Sequence, residues 1–149
     1  MLHRNMLAAN QPALPRVGVV GLATYVPTPR MTSAELAAAT GIAEDVIVHK
    51  FGIRQKPMPG PDDHPCAMGA RAAQTALARA GVDPLEVDVI ISISEEHKEH
   101  PLMVSGIKIQ QLIGARNAWA IDIAQRCCTT IAGLTLARAL LQTDPRIKT

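Results

Sequence analysis

Aromatic side chains are scarce in this chain of 149 residues, and Tyr25, Phe51 and Trp119 are the only ones. Alanine, valine, isoleucine and leucine supply most of the apolar content, so the core must pack through small and branched side chains, as in layered α/β proteins. An excess of charge of one sign is also missing, since the formal net charge is +2. Such a small charge does not favour nucleic acid as a partner.

Long apolar runs are absent too. None approaches the roughly 20 residues that a membrane-spanning helix needs, so no membrane partner is expected. The N-terminus lacks the apolar centre of a secretory signal, which predicts a loose leader over residues 1–15. Three cysteines at spacings that fit no disulfide framework predict reduced thiols and a cytoplasmic location. The apolar share of 48% still suffices for one domain with a core, placed at residues 16–149.

The remaining pattern alternates between strands and helices. Strand-like runs end at Pro or Gly, and helical runs have capping residues before them and Gly after them. A chain of this kind predicts an α/β layer with parallel strands. The predicted elements are a strand at 16–25, a helix at 35–40 capped by Thr32 or Ser33, a short helix at 44–52, an extended segment at 53–57, a helix at 65–80, a strand at 87–93, a helix at 102–113, a strand at 118–124 and a helix at 129–142.

The stretch 118–130 reads as a buried strand, a tight turn and an apolar helix, with Cys127 at the junction. A thiol there lies at the positive end of a helix dipole, which favours a thiolate and suits a covalent nucleophile. A small buried residue filling the turn is the alternative. The helix that follows is apolar on all sides except at Arg138, so we expect it to need cover from a further part of the protein or from a partner.

Six short motifs in order carry a family resemblance. They are Val17-Gly18-Val19-Val20-Gly21, Tyr25-Val26-Pro27, Ala34-Glu35-Leu36, the run at 47–54 (IVHKFGIR), Ala80-Gly81-Val82-Asp83, and Asp122 five residues before Cys127. Together they resemble the N-terminal half of the 3-oxoacyl-acyl-carrier-protein synthase III group of the thiolase superfamily. The resemblance covers residues 17–148.

This resemblance implies one half of a five-layered αβαβα thiolase-like fold, usually found in homodimers. It implies that Cys127 accepts an acyl group from a thioester of coenzyme A or acyl carrier protein, with no bound cofactor. A histidine and an asparagine of the other half would then help to condense it with a malonyl thioester, in fatty acid or polyketide-type biosynthesis. The alternative is a catalytically incomplete fragment, or a non-catalytic subunit that needs a second half or a partner chain.

Three positions depart from the family pattern. Arg126 replaces a small residue before the nucleophile, Cys128 and the two threonines after it replace small residues, and Val46 replaces a tryptophan that stacks on adenine in some members. These differences favour a divergent synthase or acyltransferase whose donor is a carrier protein or another thioester.

The remaining candidates each have a structural alternative. Cys128 is either a second thiol of the site or a packing residue, and the packing role is favoured. Lys50, Arg54 and Lys56 either bind the phosphate of coenzyme A or of a carrier protein, as the resemblance implies, or form a solvated surface.

The charged run at 95–100 fits no metal-binding spacing, so no metal site is assigned, and a polar lining or interface is expected there. Cys66 is interpreted as structural and Trp119 as strand core. Asp122 is expected to brace the turn ahead of Cys127.

Overall fold

The computed structural model describes residues 14–93, 98 and 100–149. Residues 1–13 of the predicted leader lie outside this part, as do Glu95, Glu96, His97 and Glu99 of the predicted polar run. The elements in chain order are β1 (Arg30–Thr32), α1 (Ser33–Thr40), α2 (Glu44–His49), β2 (Gln55–Pro57), α3 (Pro65–Ala80), β3 (Val89–Ile93), α4 (Ser105–Ile113), β4 (Trp119–Ile123) and α5 (Thr129–Thr143), with 3₁₀ turns at Pro84–Glu86 and Arg126–Cys128.

The centre of the molecule is a parallel pair of strands between two layers of helices. β3 and β4 pair in register from Val89 opposite Trp119 to Ile93 opposite Ile123. Alternate residues of β3 point to opposite faces, so Ser92 lies on the side of α3 and α4 while Ile91 lies on the side of α5. The predicted α/β architecture with parallel strands is confirmed.

The main core is built from small and branched residues, as the composition predicts. Ala70, Val87, Ile113, Ala115 and Ala118 form its buried cluster. Gly69 lets α3 and α4 pack closely, because a Cβ at this position would lie 3.1 Å from Cδ1 of Ile109. These two helices therefore pack at short range without aromatic side chains.

Local signals place the helices well. Pro65 starts α3 and Gly81 ends it with a left-handed φ of 66°, so the predicted bounds 65–80 are confirmed. At α1, the Thr32 hydroxyl accepts from the Glu35 amide at 3.3 Å, and the Glu35 carboxylate accepts from the Thr32 amide at 2.7 Å. This reciprocal cap starts the helix at Ser33, two residues earlier than predicted.

A small unit at 30–57 combines α1 and α2 with the antiparallel pair β1 and β2. Met31 lies opposite Lys56 in this pair, and the Ser33 amide donates to the Arg54 carbonyl at 3.0 Å. The predicted extended segment at 53–57 thus becomes a strand only at Gln55–Pro57.

The predicted first strand at 16–25 is wrong for the described residues. Residues 14–27 form no helix and belong to neither sheet. The segment lies along α3, since the Arg79 guanidinium donates to the Leu22 carbonyl at 2.8 Å and a Cβ at Gly21 would lie 2.6 Å from the Ala76 carbonyl oxygen. No described strand pairs with it, and Val19 is 75% exposed. An apolar pattern predicts a strand only if a partner strand is present.

α5 contacts β3 at Gly133, where a Cβ would lie 3.0 Å from Cδ1 of Ile93. Of the residues of this helix, Thr129 and Gly133 are buried, whereas Ile131 is 67% exposed and Leu134 is 54% exposed. The outer apolar face of α5 therefore has no cover from the described part of the chain. Nor does any helix of that part have the length and apolar character to cross a bilayer.

Candidate active site

The cysteine turn joins the end of β4 to the start of α5. β4 ends at Ile123, the 3₁₀ turn spans Arg126–Cys128, and α5 begins at Thr129. The predicted order of strand, turn and helix around Cys127 is confirmed. Cys127 and Cys128 are both exposed and reduced, so the turn presents two neighbouring thiols.

Thr129 closes this turn from within. Its side chain is 1% exposed, and its hydroxyl accepts a hydrogen bond from the Gln125 amide at 2.6 Å and donates one to the Arg126 carbonyl at 2.7 Å. The Cys128 amide also donates to the Gln125 carbonyl, at 3.3 Å. Thr129 was missed in the sequence, although threonine at the start of a predicted helix is a common signal for such a role.

Arg126 has a left-handed backbone conformation, with φ of 53°. For a residue with a Cβ this region costs roughly 1–2 kcal/mol. The side chain of Arg126 is exposed. The hydrogen bonds of Thr129 on both sides of Arg126 compensate this cost and fix the direction in which the chain enters α5.

Cys128 was interpreted as a packing residue, and this is wrong for the described residues because the side chain is exposed. It precedes α5 and lies on the outer face of that helix, beside Ile131, Ala132 and Thr135. That face points away from the sheet, so no core is available for the thiol to pack into.

Asp122 was expected to brace the cysteine turn, but it caps α4 instead. Its Oδ2 accepts from the Ser105 amide and its Oδ1 from the Gly106 amide, both at 2.8 Å, and Lys98 Nζ lies 2.8 Å from Oδ2. Burial raises the pKa of Asp122, but the hydrogen bonds from Lys98 and from the two amides outweigh it and lower the pKa. The reason is the strand alternation, which directs Asp122 toward α4, away from the face that α5 covers.

Lys98 makes a second contact that no sequence pattern indicated. Its ammonium donates to the Met103 carbonyl at 3.1 Å as well as to Asp122. It thus ties the chain ahead of α4 to the carboxyl end of β4, on the side of the sheet opposite α5.

Trp119 was interpreted as core, but it is 44% exposed. It is the first residue of β4 and lies at the edge of a shallow depression that also includes Asp144, Arg146 and Ile147. α5 lies mainly over β3, so the ring extends past the cover that this helix gives. Cys66, by contrast, is 2% exposed in the first turn of α3, and its structural interpretation is confirmed.

The three predicted phosphate-binding cations share one region. Lys50 follows α2, Arg54 precedes β2 and Lys56 lies within it, and all three side chains are exposed. Among the described residues, none of them forms an ion pair, and no hydrogen bond joins this segment to the cysteine turn. The cations are thus available to an anion from solution.

A part-buried network of hydrogen bonds joins the segment near Tyr25 to α3. The Tyr25 hydroxyl donates to Asp63 at 2.6 Å and accepts from Arg71 at 2.7 Å, and Arg71 contacts the same Asp63 oxygen at 2.5 Å. The hydrogen bond to Asp63 raises the pKa of Tyr25 and lowers the pKa of Asp63. Within the described residues, no group of histidine, cysteine and carboxylate side chains is placed to hold a metal ion.

Comparison with known proteins agrees with this architecture. The chain is 34% identical over 119 residues to a β-ketoacyl-acyl-carrier-protein synthase III of Pectobacterium atrosepticum, and 32% identical over 123 residues to the one of Sphingopyxis alaskensis. These matches cover 80% and 83% of this chain, but only 36% and 38% of the relatives. The chain therefore spans little more than a third of their length. No protein-family model matches it.

Comparison with solved structures agrees with the sequence comparison. The priming β-ketosynthase of the R1128 polyketide biosynthetic pathway superposes with a TM-score of 0.78 at 27% identity, over 91% of this chain and 40% of that protein. The resemblance first seen in the sequence motifs is thus confirmed: the chain is similar to 3-oxoacyl-acyl-carrier-protein synthases III, and its fold is that of an N-terminal half of the thiolase type.

Proposed function

We propose that Cys127 carries an acyl group as a thioester. The observation that carries the proposal is the exposed Cys127 thiol at the strand-to-helix turn, in a chain that resembles condensing enzymes. The Cys127 thiolate attacks the carbonyl carbon of an acyl thioester, and the donor's thiolate leaves. One thioester replaces another, so the step is close to isoenergetic. The Cys127 amide is a candidate donor to the oxyanion that forms in between.

The second half of the proposed reaction is condensation. The relatives are named as β-ketoacyl-acyl-carrier-protein synthases. We propose that a malonyl-thioester-like partner loses CO₂ and its carbanion attacks the acyl group on Cys127, in fatty acid or polyketide-type biosynthesis. The histidine and asparagine that assist this step in the family would come from the half of the fold that this chain does not match.

The donor is proposed to be coenzyme A or acyl carrier protein. Both carry a phosphate next to a pantetheine arm, and the exposed cations Lys50, Arg54 and Lys56 suit a phosphate. We propose a cytoplasmic location, which fits the reduced cysteines. We also propose a homodimer, which is the usual state in the family that the chain resembles.

A second candidate is a non-catalytic fragment or subunit. The observation that favours it is the outer face of α5, where Ile131 is 67% exposed. An exposed apolar face of this kind is suited to contact with another polypeptide. In this case the chain adopts its final state only with a second half or a partner chain.

Intact-mass measurement tests the first candidate. The chain is incubated with a panel of acyl-coenzyme A and acyl-carrier-protein thioesters and then denatured in acid, and its intact mass is measured by mass spectrometry. An acyl adduct that is lost in Cys127→Ser and kept in Cys66→Ser supports the proposal, since Cys66 is the buried thiol. An adduct that survives Cys127→Ser contradicts it.

Sedimentation of the same preparation tests the second candidate. Self-association that Ile131→Glu abolishes supports an interaction through α5, because the change places a charge on its outer face. A monomer with a sharp cooperative melt and a stable acyl adduct argues for the enzyme instead.

A further inference from the structure

The cysteine turn holds two thiols where a nucleophile needs only one. Cys127 and Cys128 are adjacent in sequence, both are exposed, and both are reduced. Cys66 is 2% exposed in the first turn of α3, on the opposite side of the sheet from α5. A reagent in solution therefore reaches two neighbouring thiols and is kept from the third.

Adjacency makes a bond between these two sulfurs strained and easy to break. No described peptide bond is cis, so the two Cα atoms are about 3.8 Å apart. Ordinary disulfides join Cα atoms about 4.4–6.8 Å apart, and shorter separations strain the bond and make it more reducible. A disulfide within this pair would thus be labile, which is typical of regulatory rather than structural disulfides.

We propose that Cys127 and Cys128 form a reversible oxidation site for peroxides. One thiolate attacks the O–O bond of the peroxide and becomes a sulfenic acid, with release of water or an alcohol. The neighbouring thiol then attacks that sulfur and the sulfenic oxygen leaves as water. The two sulfurs supply two electrons and the peroxide accepts them. A dithiol reverses the change by thiol–disulfide exchange.

The consequence for acyl transfer rests on the proposed function. A sulfur held in the disulfide cannot attack a thioester, so oxidation switches the acyl acceptor off. The second thiol also protects the first, because a sulfenic acid that condenses at once is not oxidised further to the irreversible sulfinic acid. Cys128, which departs from the small residue expected at this position, thereby gains a chemical role.

Intact mass after hydrogen peroxide treatment tests the oxidation site. We expect the wild-type chain and Cys66→Ser each to lose about 2 Da, one hydrogen from each thiol, and to regain it with dithiothreitol. Cys127→Ser and Cys128→Ser should instead gain oxygen. Wild-type protein that gains oxygen without the mass loss, or that forms covalent dimers on non-reducing gels, would overturn the proposal. So would a mass loss that both serine variants retain, since it would involve Cys66.

A second arm separates this proposal from the acyl-transfer proposal. Reduced and oxidised samples are incubated with the same acyl thioesters, and adducts are weighed. An adduct in the reduced sample and at least tenfold less in the oxidised one supports the switch. Equal adducts in both refute the switch. If the reduced sample takes no acyl group at all, acyl transfer fails, while the 2 Da result still decides the oxidation site.

Discussion

The cysteine turn should depend on the hydroxyl of Thr129. Replacing Thr129 with Val keeps a similar shape but removes two hydrogen bonds, one from the Gln125 amide and one to the Arg126 carbonyl. Each is worth about 0.5–1.5 kcal/mol net, so the two together predict a loss of about 2 kcal/mol in the free energy of unfolding. The side chain is 1% exposed, so water cannot take over the contacts without entering the turn.

Urea unfolding at neutral pH measures this loss. At a slope of about 2 kcal/mol per molar, the midpoint of Thr129→Val should fall by about 1 M with the slope unchanged. Thr129→Ser retains the hydroxyl and should recover most of the difference. Thr130→Val is the matched control, because Thr130 is exposed on the next position of the same helix, and its midpoint should barely move. Equal midpoints for the two valine variants would refute the role of the Thr129 hydroxyl.

Three further changes test other parts of the structure. Asp122→Ala removes the cap of α4 and the partner of Lys98, and should cost about 2–4 kcal/mol by urea unfolding. Because folding lowers the pKa of Asp122, the stability difference between the wild type and Asp122→Ala should be full above about pH 4 and shrink as the pH falls further. A difference that stays constant below about pH 4 would contradict the lowered pKa. Arg126→Val should be at least about 1 kcal/mol less stable than Arg126→Gly, since only glycine adopts the left-handed φ without strain; the reverse order in thermal melts would rule that strain out. Gly21→Ala places a Cβ against the Ala76 carbonyl and should cost about 1–3 kcal/mol, and unchanged stability would mean that the segment at 14–27 is not held against α3 there.

Helices could be predicted closely wherever their ends depend on neighbours in sequence. Pro65 and Gly81 bound α3 by local backbone preference, and Gly114 ends α4 in the same way. The segment around Val19 shows the opposite case. Its apolar run predicts a strand, but strand formation depends on a partner at a distance in sequence, and no described strand takes that place.

In the candidate site, too, features set by neighbours in sequence could be predicted and features set by distant contacts could not. The position of Cys127 between a strand and a helix follows from local pattern. The contacts of Asp122 do not, because they join it to Ser105 and Gly106, 17 and 16 residues away. The exposure of Trp119 also depends on where α5 crosses the sheet, and the spacing of residues in the sequence does not indicate that position.

The unit at 30–57 has a consequence for engineering. Its two strands pair with each other and with neither β3 nor β4, and α1 contacts β1 and α2, so these contacts stay within the unit. Replacing the segment that carries Lys50, Arg54 and Lys56 would leave the pairing of β3 with β4 unchanged. It is therefore the part of the chain best suited to exchange as a cassette, so that a different set of cations can be installed without rebuilding the cysteine turn.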